Sequence, residues 1–228
     1  MNKKNLSELH IWFIILGCVL VFILLIHYGT PWGRILYKEK CKNYFQEKYQ
    51  EELVIKRTVF YIPHGIYSSR AYSKENPEVQ FHIGQDYKTK EITDGYVTAV
   101  WNYNAKNDFN PLIEELYPDR QGYCVEIGIK ADGIAEMKRL DEMREIPDYK
   151  EETTLEIGIS MKNTSINDDE IMNELERALK VINYIREKEV EILFFRVDYK
   201  NKYLQLEHPD IQIVTFSNEL TNWLFDYK

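Results

Sequence analysis

LVIKRTVFYIPHGIYSSRAYSKENPEVQFHIG, residues 53–84, consists of three β-branched and aromatic runs separated by turn residues. Leu53–Ile62 reads as a strand, Pro63-His64-Gly65 as a turn, and Ile66–Ser73 as the returning strand. Ser73–Pro77 is a second turn. In the third run Val79, Phe81 and Ile83 alternate with Gln80 and His82, so one face is buried and one is wet. Turns this short join only antiparallel neighbours, because a parallel pair needs a crossover of a dozen or more residues. The stretch therefore predicts an antiparallel meander and an α+β class.

On its C-terminal side the period becomes helical. Val97, Val100, Trp101, Phe109, Leu112, Ile113 and Leu116 recur at helix spacing between Thr93 and Tyr117. Pro111 lies inside this pattern, which predicts a kink or break near Lys106–Asn110. Pro118-Asp119 and Gly122 mark a boundary between halves. In the second half, VEIGI at Val125–Ile129 is echoed by LEIGI at Leu155–Ile159, and both alternate like strands. A short helix is expected around Ile134–Met143. SINDDEIMNELERALKVINYIREKEV carries a helical stripe of Ile171, Leu175, Ala178, Leu179, Ile182 and Ile185, with Asn167 and Glu170 spaced as a capping box. VEILFFRVDY, YLQLE and IQIVTF read as further strands, and Ser217 as the cap of a closing helix bearing Trp223, Leu224 and Phe225.

On the N-terminal side, Tyr37, Cys41, Tyr44, Phe45 and Tyr49 give one apolar face to a helix over Gly33–Glu51, entered through a Thr30-Pro31 cap. Before it lies HIWFIILGCVLVFILLIHYG, residues 10–29, uncharged and apolar all round. Twenty residues of helix span roughly 30 Å, about one bilayer core. Trp12 at one end and Tyr28 and Trp32 at the other are the amphipathic rings that a membrane–water interface favours. No small-x-small cleavage pattern follows, so the expected element is an uncleaved, single-pass signal anchor.

The organisation predicted is a short tail (1–9), a transmembrane helix (10–29) and two helix-on-antiparallel-sheet units, 30–118 and 119–228. Residues 34–48 carry a net charge of +3, whereas Tyr49 onward carries −12 within a chain total of −8. So acidic a body speaks against nucleic acid as a partner, while its basic neck suits an anionic bilayer surface. Basic residues after the helix favour a cytoplasmic domain. Long domains, however, translocate largely regardless of charge, and the expectation here is an extracytoplasmic one. Cys18, Cys41 and Cys124 have no regular spacing and are expected as free thiols.

Phosphate-loop, dinucleotide, nucleophile-elbow and zincin patterns are all missing, and no two of His64, His82 and His208 are spaced as metal ligands. Asp86, Asp94, Asp108, Asp119 and Asp132 fall at turns or caps, where the carboxylate binds backbone N–H groups. Asp168-Asp169-Glu170 reads as helix capping before it reads as a metal site. The seventeen tyrosines fill a core or line a groove, with the core favoured. No catalytic residue, cofactor or metal is expected.

VFYIPHGIYSSRAYSKENPEVQFHI, ITDGYVTAVWNYNAKNDFNPLIEELYP and CVEIGI together resemble the YfjL-like small membrane proteins of Bacillus and relatives, over about Arg34 to Ile159. The resemblance implies a fold and carries no functional residues. The expectation is a membrane-anchored, non-enzymatic domain that binds a protein or peptide partner in the cell envelope. Two alternatives are a cytoplasm-facing tethered regulator and an envelope hydrolase built around His82 and Asp86.

Overall fold

The computed structural model describes residues 3–130, 139–140 and 142–227, and side chains of the first helix from Trp12 to Leu25. The chain is α+β and divides into two compact units, residues 1–99 with 141–145 and residues 100–140 with 146–228.

In the first unit α1 (Lys3–Tyr28) ends at Gly29, whose φ of 69° a residue with a Cβ adopts only under strain. Among the described residues no helix is long and apolar enough to cross a membrane. The described side chains of the expected span cover fourteen positions, Trp12–Leu25, short of the roughly 20 a bilayer requires; the Tyr28 side chain lies outside them. Helix α2 (Pro31–Tyr49) starts as its sequence implies, Thr30 Oγ1 accepting the Gly33 N–H at 3.1 Å. It buries Tyr37, Cys41, Phe45 and Tyr49 against the sheet.

That sheet is the antiparallel meander β1 (Leu53–Tyr61), β2 (Ile66–Ser73), β3 (Gln80–Gln85) and β4 (Ile92–Asp94), in that order. The fourth strand, three residues long, lay inside the helical pattern expected from Thr93. A register shift between Ile55 and Arg57 changes which residues of β1 face α2. Thr58 is buried and bonds Ser69 at 2.8 Å, and Arg57 is turned to the open side. Phe45 packs on Phe81, Tyr49 and Tyr96 with ring centroids 4.8–5.4 Å apart, so much of the tyrosine excess is core.

Helix α3 (Tyr96–Leu116) runs unbroken through Pro111, correcting the expected break. The missing proline N–H loosens the local ladder, and hydroxyls bind carbonyls one turn earlier: Tyr123 donates to Lys106 O at 3.3 Å and Tyr184 to Asp108 O at 3.0 Å. Phe109 and Ile113, fully buried on either side of Pro111, pack the helix across the gap. The division between units falls within this helix, before Pro118.

The second unit has a five-stranded sheet: β5 (Gly122–Ile129), β6 (Thr153–Met161), β7 (Glu191–Tyr199), β8 (Lys202–Glu207) and β9 (Leu224–Asp226). It is mixed, because β6 and β7 are parallel. A four-residue helix α4 (Tyr149–Glu152) leads into β6, and α5 (Asp168–Glu187) crosses between β6 and β7, a connection that allows parallel pairing. The all-antiparallel expectation overlooked that consequence of its own long helix. IQIVTF is not a strand. Ile211 and Val214 are buried, spacing i and i+3, within and just after a short helix α6 (His208–Ile213) begun by Pro209. Arg186 bonds Ile211 O and Val214 O, the latter at 2.6 Å. The closing helix is a 3-10 turn (Ser217–Trp223), and Leu224 and Phe225 belong instead to the edge strand β9. The helix expected at Ile134–Met143 lies largely outside the described residues.

Candidate functional site

Alternation leaves one face of the first sheet without a covering helix. Val59 and Tyr61 from β1, Ser68 and Arg70 from β2, and His82 and Gly84 from β3 line it. Its largest hollow encloses about 610 Å³ and is bordered by Tyr61, His64, Ile66, Tyr87 and Thr93 over a floor at Gly84. A Cβ on Gly84 would stand 3.3 Å from Ser68 Oγ and 3.4 Å from Tyr67 O, so glycine keeps that floor low.

The rim is tied at three points. Lys90 Nζ donates to His64 O at 2.6 Å, joining the β3–β4 loop to the β1–β2 turn. Tyr67 N–H donates to Gln85 Oε1 at 3.0 Å. Asp86 Oδ1 accepts the Lys88 and Thr89 N–H groups, both at 2.8 Å, and these bonds, Thr89's first, hold its carboxyl below the usual range. Oδ1 of Asp86, in the expected His82–Asp86 pairing, thus closes the turn. The hollow is open to solvent.

Asp94 borders the hollow, but its carboxylate belongs to the core. Oδ2 accepts Tyr44 Oη at 2.7 Å and Lys48 Nζ at 2.9 Å; Oδ1 accepts Tyr49 Oη and the Tyr96 N–H, each at 2.9 Å. The Lys48 and Asp94 side chains are 8% and 1% exposed. Four donors satisfy this buried carboxylate and leave none of its oxygens for a ligand.

Across the open face Arg57 lies directly opposite Arg70, and Arg70 directly opposite His82. Like charges in cross-strand register are unfavourable, and none of the three has an ion-pair partner among the described residues. This row was missed in the sequence, although the turn at residues 62–65 implies it: pairing Tyr61 with Ile66 carries through to Arg57 with Arg70.

In the second unit the open sheet face holds a network satisfied from within. Arg196 donates to Asp198 at 2.7 and 2.9 Å and to Gln205 at 2.9 Å, and Tyr227 donates to the same carboxylate. Asp108 accepts Tyr149 Oη at 2.7 Å, and His208 Nε2 lies 3.8 Å from Glu191. The Asn167 N–H donates to Glu170 at 3.1 Å, so the acidic cluster caps α5. Asp132 lies outside the described residues. Among the described residues no group of three or more His, Cys, Asp or Glu is arranged to hold a metal. Trp12 and Trp32 are exposed.

No family model matches the chain, and no curated protein or solved structure is significantly similar to it.

Proposed function

We propose that the protein is a membrane-anchored, non-enzymatic binding module whose partner is an extended segment of protein or peptide in the cell envelope. The observation that carries this reading is the open face of the first sheet: a hollow of about 610 Å³ with aromatic and aliphatic walls and a pinned rim. Aromatic walls around a preformed hollow give contact area at low entropic cost. The anchor rests on α1, where thirteen consecutive residues, Trp12–Leu24, are exposed and uncharged. Water does not tolerate such a stretch, and a bilayer does. The basic residues after α1 favour the second reading, a tethered regulator facing the cytoplasm.

A photo-crosslinking residue placed at Tyr87, on the rim, tests the groove in intact cells, with Lys180 on exposed α5 as the control position. A discrete adduct at 87 that is missing at 180 is expected. No adduct, or equal adducts at both positions, overturns the groove as the binding site.

A further inference from the structure

A second groove of the first unit lies between the start of α2 and the outer edge of β1. It encloses about 630 Å³ and is lined by Arg34, Lys38, Lys56 and Arg57, with Tyr61 and Ile62 from the adjoining hairpin. No carboxylate lines it, and none of its four cations forms an ion pair among the described residues, in a chain of net charge −8. Arg34 spends one donor on Thr58 O at 2.9 Å, yet its Nε is buried with no acceptor at all. An orphaned buried guanidinium nitrogen is costly, and this cation, held at the groove wall, is suited to pair with an oxyanion through its remaining donors.

Of the exposed apolar side chains nearby, Tyr61 and Ile62 on the hairpin, 46–52% exposed, line this groove, whereas Trp32 and Leu36 lie on the side of α2 turned away from its buried Tyr37–Cys41–Phe45 face. The chain leaving α1 is fastened to the same place. Tyr67 Oη donates to Thr30 O at 3.2 Å, and a Cβ on Gly29 would fall 2.3 Å from that hydroxyl. Cations with exposed Tyr61 and Ile62 in one groove, near the end of an apolar helix, make a surface suited to the headgroup layer of a bilayer.

We propose that this groove of the first unit rests on the membrane, with Tyr61 and Ile62 among the headgroups and a lipid phosphate held by Arg34, Lys38, Lys56 and Arg57. The proposal rests on the membrane location argued above and makes no use of the open-face hollow. The occupant is the headgroup phosphate of an anionic lipid. Each cation near such a surface strengthens the attraction about fivefold, and added salt weakens it.

The test uses the full chain in phosphatidylcholine vesicles. An alkaline carbonate wash comes first: release from these neutral vesicles overturns the membrane location itself. With the chain retained, spin-labelled phosphatidylglycerol is compared with spin-labelled phosphatidylcholine for association with the protein. A preference for the anionic lipid of several-fold is expected, falling to near-equal association in Lys38→Gln/Lys56→Gln/Arg57→Gln. These side chains carry no core contact, so the variant should fold, and retention of its melting temperature verifies this. Equal association of the two lipids, or a preference that the triple variant keeps, overturns the proposal. Displacement of the labelled lipid by inorganic phosphate at low concentration also overturns it, because the groove then takes a free anion.

Discussion

Cys41 and Cys124 are the same residue in opposite settings. Cys41 is fully buried under α2, and burial pushes its thiol up to about 11, against the small opposing effect of the Tyr37 hydroxyl. Cys124 is exposed on the open face of the second sheet, where Gly158 makes room: a Cβ there would lie 3.0 Å from its sulfur. Both are free, as their irregular spacing suggested. In a Cys18→Ser background, a maleimide should label Cys124 within minutes at neutral pH and Cys41 only after unfolding, read by mass spectrometry of the peptides. Equal labelling would contradict the packing of α2. The same shift gives a pH dependence. The folded state holds the Cys41 proton more tightly than the unfolded state, so this stabilisation is complete below the ordinary thiol range, near pH 8.5. It declines by up to about 1.4 kcal/mol per pH unit as the pH rises toward 11. Chemical denaturation at pH 8 and 10 should reveal the decline, and Cys41→Ala should reduce it.

At the scale of elements, local patterns were legible wherever one face of a regular element met the core. The meander, the Thr30 cap, the α2 stripe and the Asn167–Glu170 box all follow from spacing alone. The errors came where long-range contacts overrode a local preference. Ile211 to Phe216 alternates weakly enough to suit a strand, but Pro209 and the Arg186 guanidinium make it helical. Pro111 should break a helix, yet buried neighbours on both sides carry α3 across it. Candidate sites were harder still, because the Arg57–Arg70–His82 row needs strand register and the Arg34 groove needs packing between α2 and β1. Pro111 also yields a prediction. Its ring is exposed, so it contributes little packing while denying Asn107 O a donor. Pro111→Ala should stabilise the protein by about 1–2 kcal/mol, the restored bond outweighing the unfolded-state entropy that proline removes. A lower denaturation midpoint would mean that the ring makes contacts of its own.

For the whole molecule, the decisive term is the apolar surface of α1. Each fully exposed Leu, Ile, Val or Phe forgoes about 1.5–3 kcal/mol relative to burial, and Phe13, Ile14, Leu16, Val19, Leu20, Val21, Phe22, Ile23 and Leu24 are 47–65% exposed. The unfolded chain exposes the same side chains, so this area measures what a covering surface would gain rather than a loss of folding stability. A bilayer or a partner chain would gain by covering α1, and the absence of charge from Trp12 to Leu25 suits the bilayer of the membrane location proposed above. The remaining variable is which side the two sheets occupy. Five basic residues follow α1 within residues 34–48 and two lysines lie in its first turn, which pulls the domain toward the cytoplasm. Against that stand the length and acidity of the body, since a domain of this size translocates largely without regard to loop charge. Protease added to intact protoplasts carrying a C-terminal tag should digest the tag while a cytoplasmic control survives. The open face of the first sheet would then meet envelope partners. A tag that survives until lysis would put the same face in the cytoplasm, and the basic groove beside α1 against the inner leaflet, where anionic lipid is most abundant.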